Sequence, residues 1–173
     1  MASIVRTLRP VAFRLTARSS PAAARSWRGA SASVRAFSVS RAVQEKKYTK
    51  DHEWVELSDD KKTGTIGISE YAAHALGDVV YVELPTIPME VAAGDSIGAV
   101  ESVKSASDIN SPVSCTITAV NDLLEEKPGT INKGPEDESS AGGWVAKIEV
   151  SEVGVKDLEG LMSAAEYREF TEE

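Results

Sequence analysis

Few side chains in this sequence are placed to do chemistry. The stretch AVESVKSASDINSPVS, residues 99–114, carries one lysine, Lys104, between two runs of strand-forming residues, with acids at Glu101 and Asp108. A lysine at such a bend is either a solvated surface charge or a point of covalent attachment. Direct catalysis is disfavoured, because a solvated amine is protonated and a poor nucleophile, whereas catalytic lysines are desolvated. Acylated, the same amine becomes a neutral amide on a long stem that can swing a reactive group clear of the protein body.

Other candidates fall away. Cys115 is the only cysteine, so no disulfide can form within the chain, which agrees with a reducing compartment. It lies in the β-branched run PVSCTITAV and reads as a buried strand residue rather than a nucleophile. His52 and His74 have no metal-ligand spacing and read as fold or surface residues. Gly142-Gly143 precedes Trp144 and reads as a turn, not a phosphate loop. With no acid–base pair, metal set or nucleophile–base pair in the sequence, the chain reads as a non-catalytic component.

Charge divides the chain by position. Residues 1–44 hold eight arginines, no lysine and no acid, whereas residues 45–173 hold eleven basic against 27 acidic side chains, a net of −16. An Arg-rich, Ser-rich, acid-free start is the composition of an organellar transit peptide. Arg35-Ala36-Phe37-Ser38 suggests cleavage after Phe37, giving a transit peptide over 1–37, a polar lead-in over 38–47 and a folded domain over 48–173. So acidic a body argues against nucleic-acid binding. No apolar run is long enough to insert in a bilayer.

The elements that would position Lys104 read as mainly β. A strand is expected over 48–57, with a turn over 61–64 and a returning strand over 65–68. Ser69, EYAAHAL and Gly77 describe a short capped helix, and DVVYVEL over 78–84 a strand ended by Pro85 and Pro88. Short strands follow at 89–91 and 96–103, with the turn Ala93-Gly94-Asp95 between them, and 109–120 returns as a strand interrupted near Pro112. Gly94 and Gly98 read as turn and close-packing residues. A helical turn is expected over 121–127, a long polar loop over 128–143, a half-buried strand over 144–150 and a helical tail over 156–170. Short strands with frequent turns make a small barrel or sandwich, which offers hairpin tips rather than a deep substrate pocket.

Lys104 falls at such a tip. Carriers of biotin and lipoamide present their group this way. Composition and spacing leave attachment and plain surface charge both open, and favour the latter.

The sequence around Lys104 then adds a resemblance. ESVKSASDINSPVS is similar to the lipoylation motif of the glycine cleavage system H-protein family, and YTKDHEW, LGDVVYVELP, GAVESVK and the later GW recur there in this order, from Tyr48 to about Glu169. Ser102-Val103-Lys104-Ser105 resembles the H-protein form rather than the biotin form AMKM or the acyltransferase form TDKA. The family commonly has alanine at Ser105 and glycine at Cys115, and the stretch 132–144 with its acidic GPEDESSAG looks longer than usual.

The resemblance implies a small barrel-sandwich hybrid of lipoyl-domain type with a short internal helix and C-terminal helices. It implies lipoate on Lys104 as N6-lipoyllysine, with Glu101, Ser102, Val103, Ser105 and Asp108 as flanking recognition residues for the lipoyl-attaching enzymes, and no metal. It further implies a carrier in the mitochondrial matrix. The arm would take an aminomethyl group from the pyridoxal-phosphate P protein and pass the one-carbon unit to tetrahydrofolate at the T protein. The flavin-containing L protein would reoxidise it. Family members fold the loaded arm into a surface cleft, for which Glu70, Glu101 and Asp108 are the expected acids. The alternatives are a donor of lipoyl groups to other mitochondrial enzymes and a non-modified scaffold paralogue.

Overall fold

The computed structural model describes residues 45–172. The transit peptide expected over 1–37 and most of the lead-in lie outside the described residues. The elements are β1 (Lys47–Tyr48), β2 (Glu53–Leu57), β3 (Thr63–Ile68), α1 (Glu70–Leu76), β4 (Val79–Glu83), β5 (Met89–Val91), β6 (Ser96–Ser102), β7 (Ala106–Asn110), β8 (Cys115–Val120), α2 (Leu123–Glu126), β9 (Ala146–Val150), α3 (Glu152–Asp157), β10 (Met162–Ser163) and α4 (Ala164–Glu172). They form a seven-stranded sheet in the order β10-β1-β2-β3-β9-β8-β5 and a three-stranded sheet β4-β6-β7. The expected mainly-β class is what the chain adopts.

Val55, Ile66, Ile117 and Ile148 from the larger sheet, and Val82, Val100 and Ile109 from the smaller, share one core cluster. Each such burial is worth about 1.5–3 kcal/mol. Trp54 instead joins a second cluster with Tyr48, Trp144 and Tyr167. Both faces of β2 are therefore covered, and Glu53, Trp54 and Val55 are buried in succession instead of alternating.

Several elements differ from the sequence expectation. The strand over 48–57 breaks at residues 49–52, where the Thr49 N–H donates to Glu53 O, the Glu53 N–H donates to Thr49 Oγ1, and His52 adopts φ 74°. The strand over 109–120 becomes β7 and β8 in different sheets, because Pro112 has no N–H to continue a ladder. Cys115 lies in β8 as expected, buried between Val91 and Val150, and burial pushes its thiol pKa up. Gly98 permits close approach of β6 to β4: a Cβ there would lie 2.1 Å from Glu83 O.

The tail is not one helix. Residues 158–160 form a 3-10 turn after α3, Met162–Ser163 pairs with β1, and α4 begins only then. A reciprocal cap causes the restart: the Ser163 N–H and hydroxyl donate to Glu166 Oε2, and Glu166 N–H returns to Ser163 Oγ.

The stretch over 128–143 is no plain polar loop. It opens with a 3-10 turn, Pro128–Thr130, and buries Ile131 completely in the main core. Pro135 O accepts from Trp54 Nε1, Asn121 Nδ2 donates to Gly142 O, and Trp144 Nε1 donates to Ser139 O. Ile131→Ala is therefore expected to cost about 2–5 kcal/mol, as in a core strand. Urea unfolding measures this, and a loss under half a kcal/mol would refute it.

One group in this stretch makes stability depend on pH. Glu138 Oε1 is buried and, among the described residues, has no hydrogen-bond partner. Burial first, then the hydrogen bond and like charge of Glu56, push its pKa to about 7, against the pull of Lys46 and Lys147. The folded state thus holds a proton that the unfolded chain releases in the ordinary carboxylate range. The associated stability is complete below that range and is lost as pH rises to about 7. Glu138→Gln should gain stability relative to the parent across that window. Urea midpoints at a series of pH values would show it, and a pH-independent offset would contradict it.

Candidate functional site

The site is a hairpin tip beside a cleft. β6 pairs with β7 in antiparallel register, with Glu101 opposite Ala106 and Ala99 opposite Asp108. Ser102 builds the turn between them. Its oxygen accepts the N–H groups of Lys104 and Ser105, its hydroxyl donates to Ser105 O, and its own N–H bonds the same carbonyl at 2.7 Å. Val103 is 78% exposed while its N–H donates to Asp78 O, tying the tip to the end of α1.

Lys104 is exposed, and among the described residues its Nζ has no ion pair. Its stem passes over Gly77, where a Cβ would stand 3.1 Å from Cε and 3.4 Å from Nζ. Gly77 is also at φ 75°, where side chains are disfavoured. Asn132 braces this platform, donating to Gly77 O at 2.7 Å and accepting the Val79 N–H at 2.9 Å.

Helix α1 is placed by its expected ends: Ser69 Oγ accepts the Ala72 N–H, and the Gly77 N–H closes on Ala73 O. Between α1, the turn before β2, and β7 lies a cleft of about 200 Å³. Ser105, Ser107 and Asp108 line it from the hairpin, and Asp51, His52 and Glu53 from the opposite wall. Among the described residues, three carboxylates and no lysine or arginine line this space, a setting suited to a cation.

The five flanking residues read from the sequence gather at the tip, in different surroundings. Ser102 is the turn's hydrogen-bond centre, Val103 and Ser105 are exposed beside the lysine, and Glu101 lies exposed on β6. Of the acids expected in the cleft, only Asp108 lines it. Glu101 does not, and Glu70 sits at the start of α1, where its N–H donates to Glu136 Oε1.

Glu53 was not among the expected site residues, and neither were Asp51 and His52. Glu53 is only 2% exposed; one oxygen accepts the Asn110 N–H at 3.0 Å and the other the Thr49 hydroxyl. Each carboxylate oxygen accepts more than one bond, so lone pairs remain for a bound cation. The signal was an acid set directly against Trp54-Val55 in HEWV, since a buried acid must have partners. Glu53→Ala should cost about 1–3 kcal/mol by stranding the Asn110 N–H. Glu53→Gln should restore most of that, because an amide can serve both partners. Thermal unfolding of the pair distinguishes them, and equal losses would count against this role.

Comparison with known proteins agrees with the geometry. The family model described as glycine cleavage H-protein matches residues 46–173. The chain is 46% identical over 143 residues to the Arabidopsis thaliana glycine cleavage system H protein 2, mitochondrial, covering 83% of this chain and 86% of that one. It is 45% identical over 129 residues to the mitochondrial H protein of Saccharomyces cerevisiae, covering 74% and 73%. Its structure matches the crystal structure of a glycine cleavage system H protein from Mycobacterium marinum with a TM-score of 0.62 and 35% identity, over 73% of this chain and 95% of that one. That likeness places the two sheets in the barrel-sandwich type of fold. With most of its length matched, and with the capped helix, the hairpin and its lysine in place, the chain belongs to the glycine cleavage H-protein family.

Proposed function

We propose that this chain is the lipoylated carrier of the glycine cleavage system, with lipoate joined by an amide to Lys104 Nζ. It carries the aminomethyl unit from the P protein to the T protein and is reoxidised by the L protein. The observation that carries this reading is the pairing of an exposed lysine amine, free of ion pairs among the described residues, with an acidic cleft beside the same turn. The residues fit the group: the Ser102-centred turn is rigid, the amine projects from it, and Gly77 leaves room for the stem. When bound, lipoate supplies the dithiol–disulfide chemistry.

The chain's own residues do the rest. Ser102 and the Val103–Asp78 bond hold the tip in a shape that a lipoyl-attaching enzyme can read, with Glu101, Val103, Ser105 and Asp108 displayed around the lysine. Glu53 and Asp108 attract a protonated amine from two walls of the cleft, and Ile68, Leu76 and Val100 behind them limit water. The working site is the mitochondrial matrix, supported by the acid-free, Arg-rich start and the relatives named mitochondrial. On this reading residues 1–37 are the transit peptide, 38–47 the lead-in and 48–173 the carrier domain.

The intact mass of the protein from its native mitochondria, with peptide mapping, tests the reading. A lipoyl increment on Lys104 is expected, together with loss of one-carbon transfer to background in Lys104→Arg. In lipoylated protein, Glu53→Gln with Asp108→Asn should release the loaded one-carbon unit several-fold faster. A biotin increment would move the chain to carboxylase chemistry. A bare Lys104, in cells whose other lipoyl proteins are modified, would leave the scaffold role.

A further inference from the structure

The carrier reading leaves unused a buried hydroxyl chain that runs from the C-terminal helix to the cleft. Tyr167 on α4 is 6% exposed. Its hydroxyl lies 2.7 Å from Ser69 Oγ and 2.8 Å from His52 Nδ1. Ser69 is fully buried, and its oxygen already accepts the Ala72 N–H. The Ser69 proton still needs an acceptor, as buried polar groups do, and Tyr167 Oη is the one in reach among the described residues. A hydroxyl has a single proton. With Ser69 donating to Tyr167, the tyrosine proton goes onward to His52 Nδ1. In the neutral ring Nδ1 is then the lone-pair nitrogen, and Nε2 carries the hydrogen.

We propose that Tyr167 is a positioning residue for the cleft: through Ser69–Tyr167–His52, the C-terminal helix fixes the Nε2–H tautomer of a cleft-lining histidine. The proposal rests on the carrier reading for its purpose, but not for its geometry. A neutral His52 held this way has no lone pair at Nε2 and takes no proton from an amine bound between Glu53 and Asp108. The surrounding rings hold the arrangement. Tyr167 stacks on Tyr48 with centroids 4.4 Å apart, and the His52 ring lies 4.7 Å from that of Tyr71 and 5.9 Å from that of Phe170.

Tyr167→Phe removes the hydroxyl and keeps the ring. Long-range proton–nitrogen correlation spectra of the isotope-labelled full chain, at alkaline pH, read which nitrogen of His52 carries the hydrogen. The parent should show Nε2–H, and Tyr167→Phe a mixture of tautomers. The lipoylated variant should also release its loaded one-carbon unit several-fold faster. Tyr48→Phe breaks the neighbouring bond to Glu136 in the same aromatic cluster and should leave the tautomer unchanged. An Nδ1–H parent overturns the proposal, whether or not the variant folds, and so does an unchanged tautomer in Tyr167→Phe. The mass at Lys104 in the same samples tests the carrier reading separately, so failure of one is not mistaken for failure of the other.

Discussion

Glu53 begins β2 in the seven-stranded sheet and accepts the Asn110 N–H at the end of β7 in the three-stranded one. A buried carboxylate therefore joins the two sheets where the hairpin bearing Lys104 leaves the body. Its other oxygen takes the Thr49 hydroxyl, and the Glu53 N–H returns to Thr49 Oγ1, so the turn before β2 is fastened to the same group. A charge out of water persists only when its lone pairs are used. That requirement fixes the spacing of the two cleft walls, one carrying Glu53 and the other Asp108.

Around this link the fold separates a packed support from an exposed tip. Gly98 lets β4 and β6 approach more closely than any side chain would allow, and Val82 and Val100 seal the contact into the main core. The tip beyond Ser102 has almost no burial of its own, and its order comes from hydrogen bonds to one serine and from the Val103–Asp78 bond. This arrangement suits a carrier. Presentation needs a fixed base and a free amine, whereas catalysis by a lysine needs desolvation that a hairpin tip cannot provide.

The second aromatic cluster has a parallel role and reaches the cleft through the bond between Tyr167 and the cleft-lining His52. Tyr48, Trp54, Trp144 and Tyr167 bring together the beginning, middle and end of the folded region. Glu136 adds to this by accepting from both the Tyr48 hydroxyl and the Glu70 N–H, which ties the acidic stretch to α1. Helix, cleft turn and C-terminal helix are thereby one mechanical unit, although Tyr167 is 98 positions from Ser69 and 115 from His52.

Local chemistry determined part of this protein in the sequence itself. Ser69 and Gly77 bracket α1 because capping depends on neighbours a few positions away, and the hairpin around Lys104 follows from strand-forming runs on either side of a short polar turn. The Ser163–Glu166 cap was equally local, but the apolar spacing of the tail masked it. Tertiary structure alone decided the rest. It sent β7 and β8 to different sheets, buried Ile131 from an apparently polar loop, and chose Asp108 and Glu53 over Glu101 and Glu70 as cleft acids. Which carboxylate meets which space depends on the packing of segments far apart in the chain, and no residue's immediate neighbours encode that.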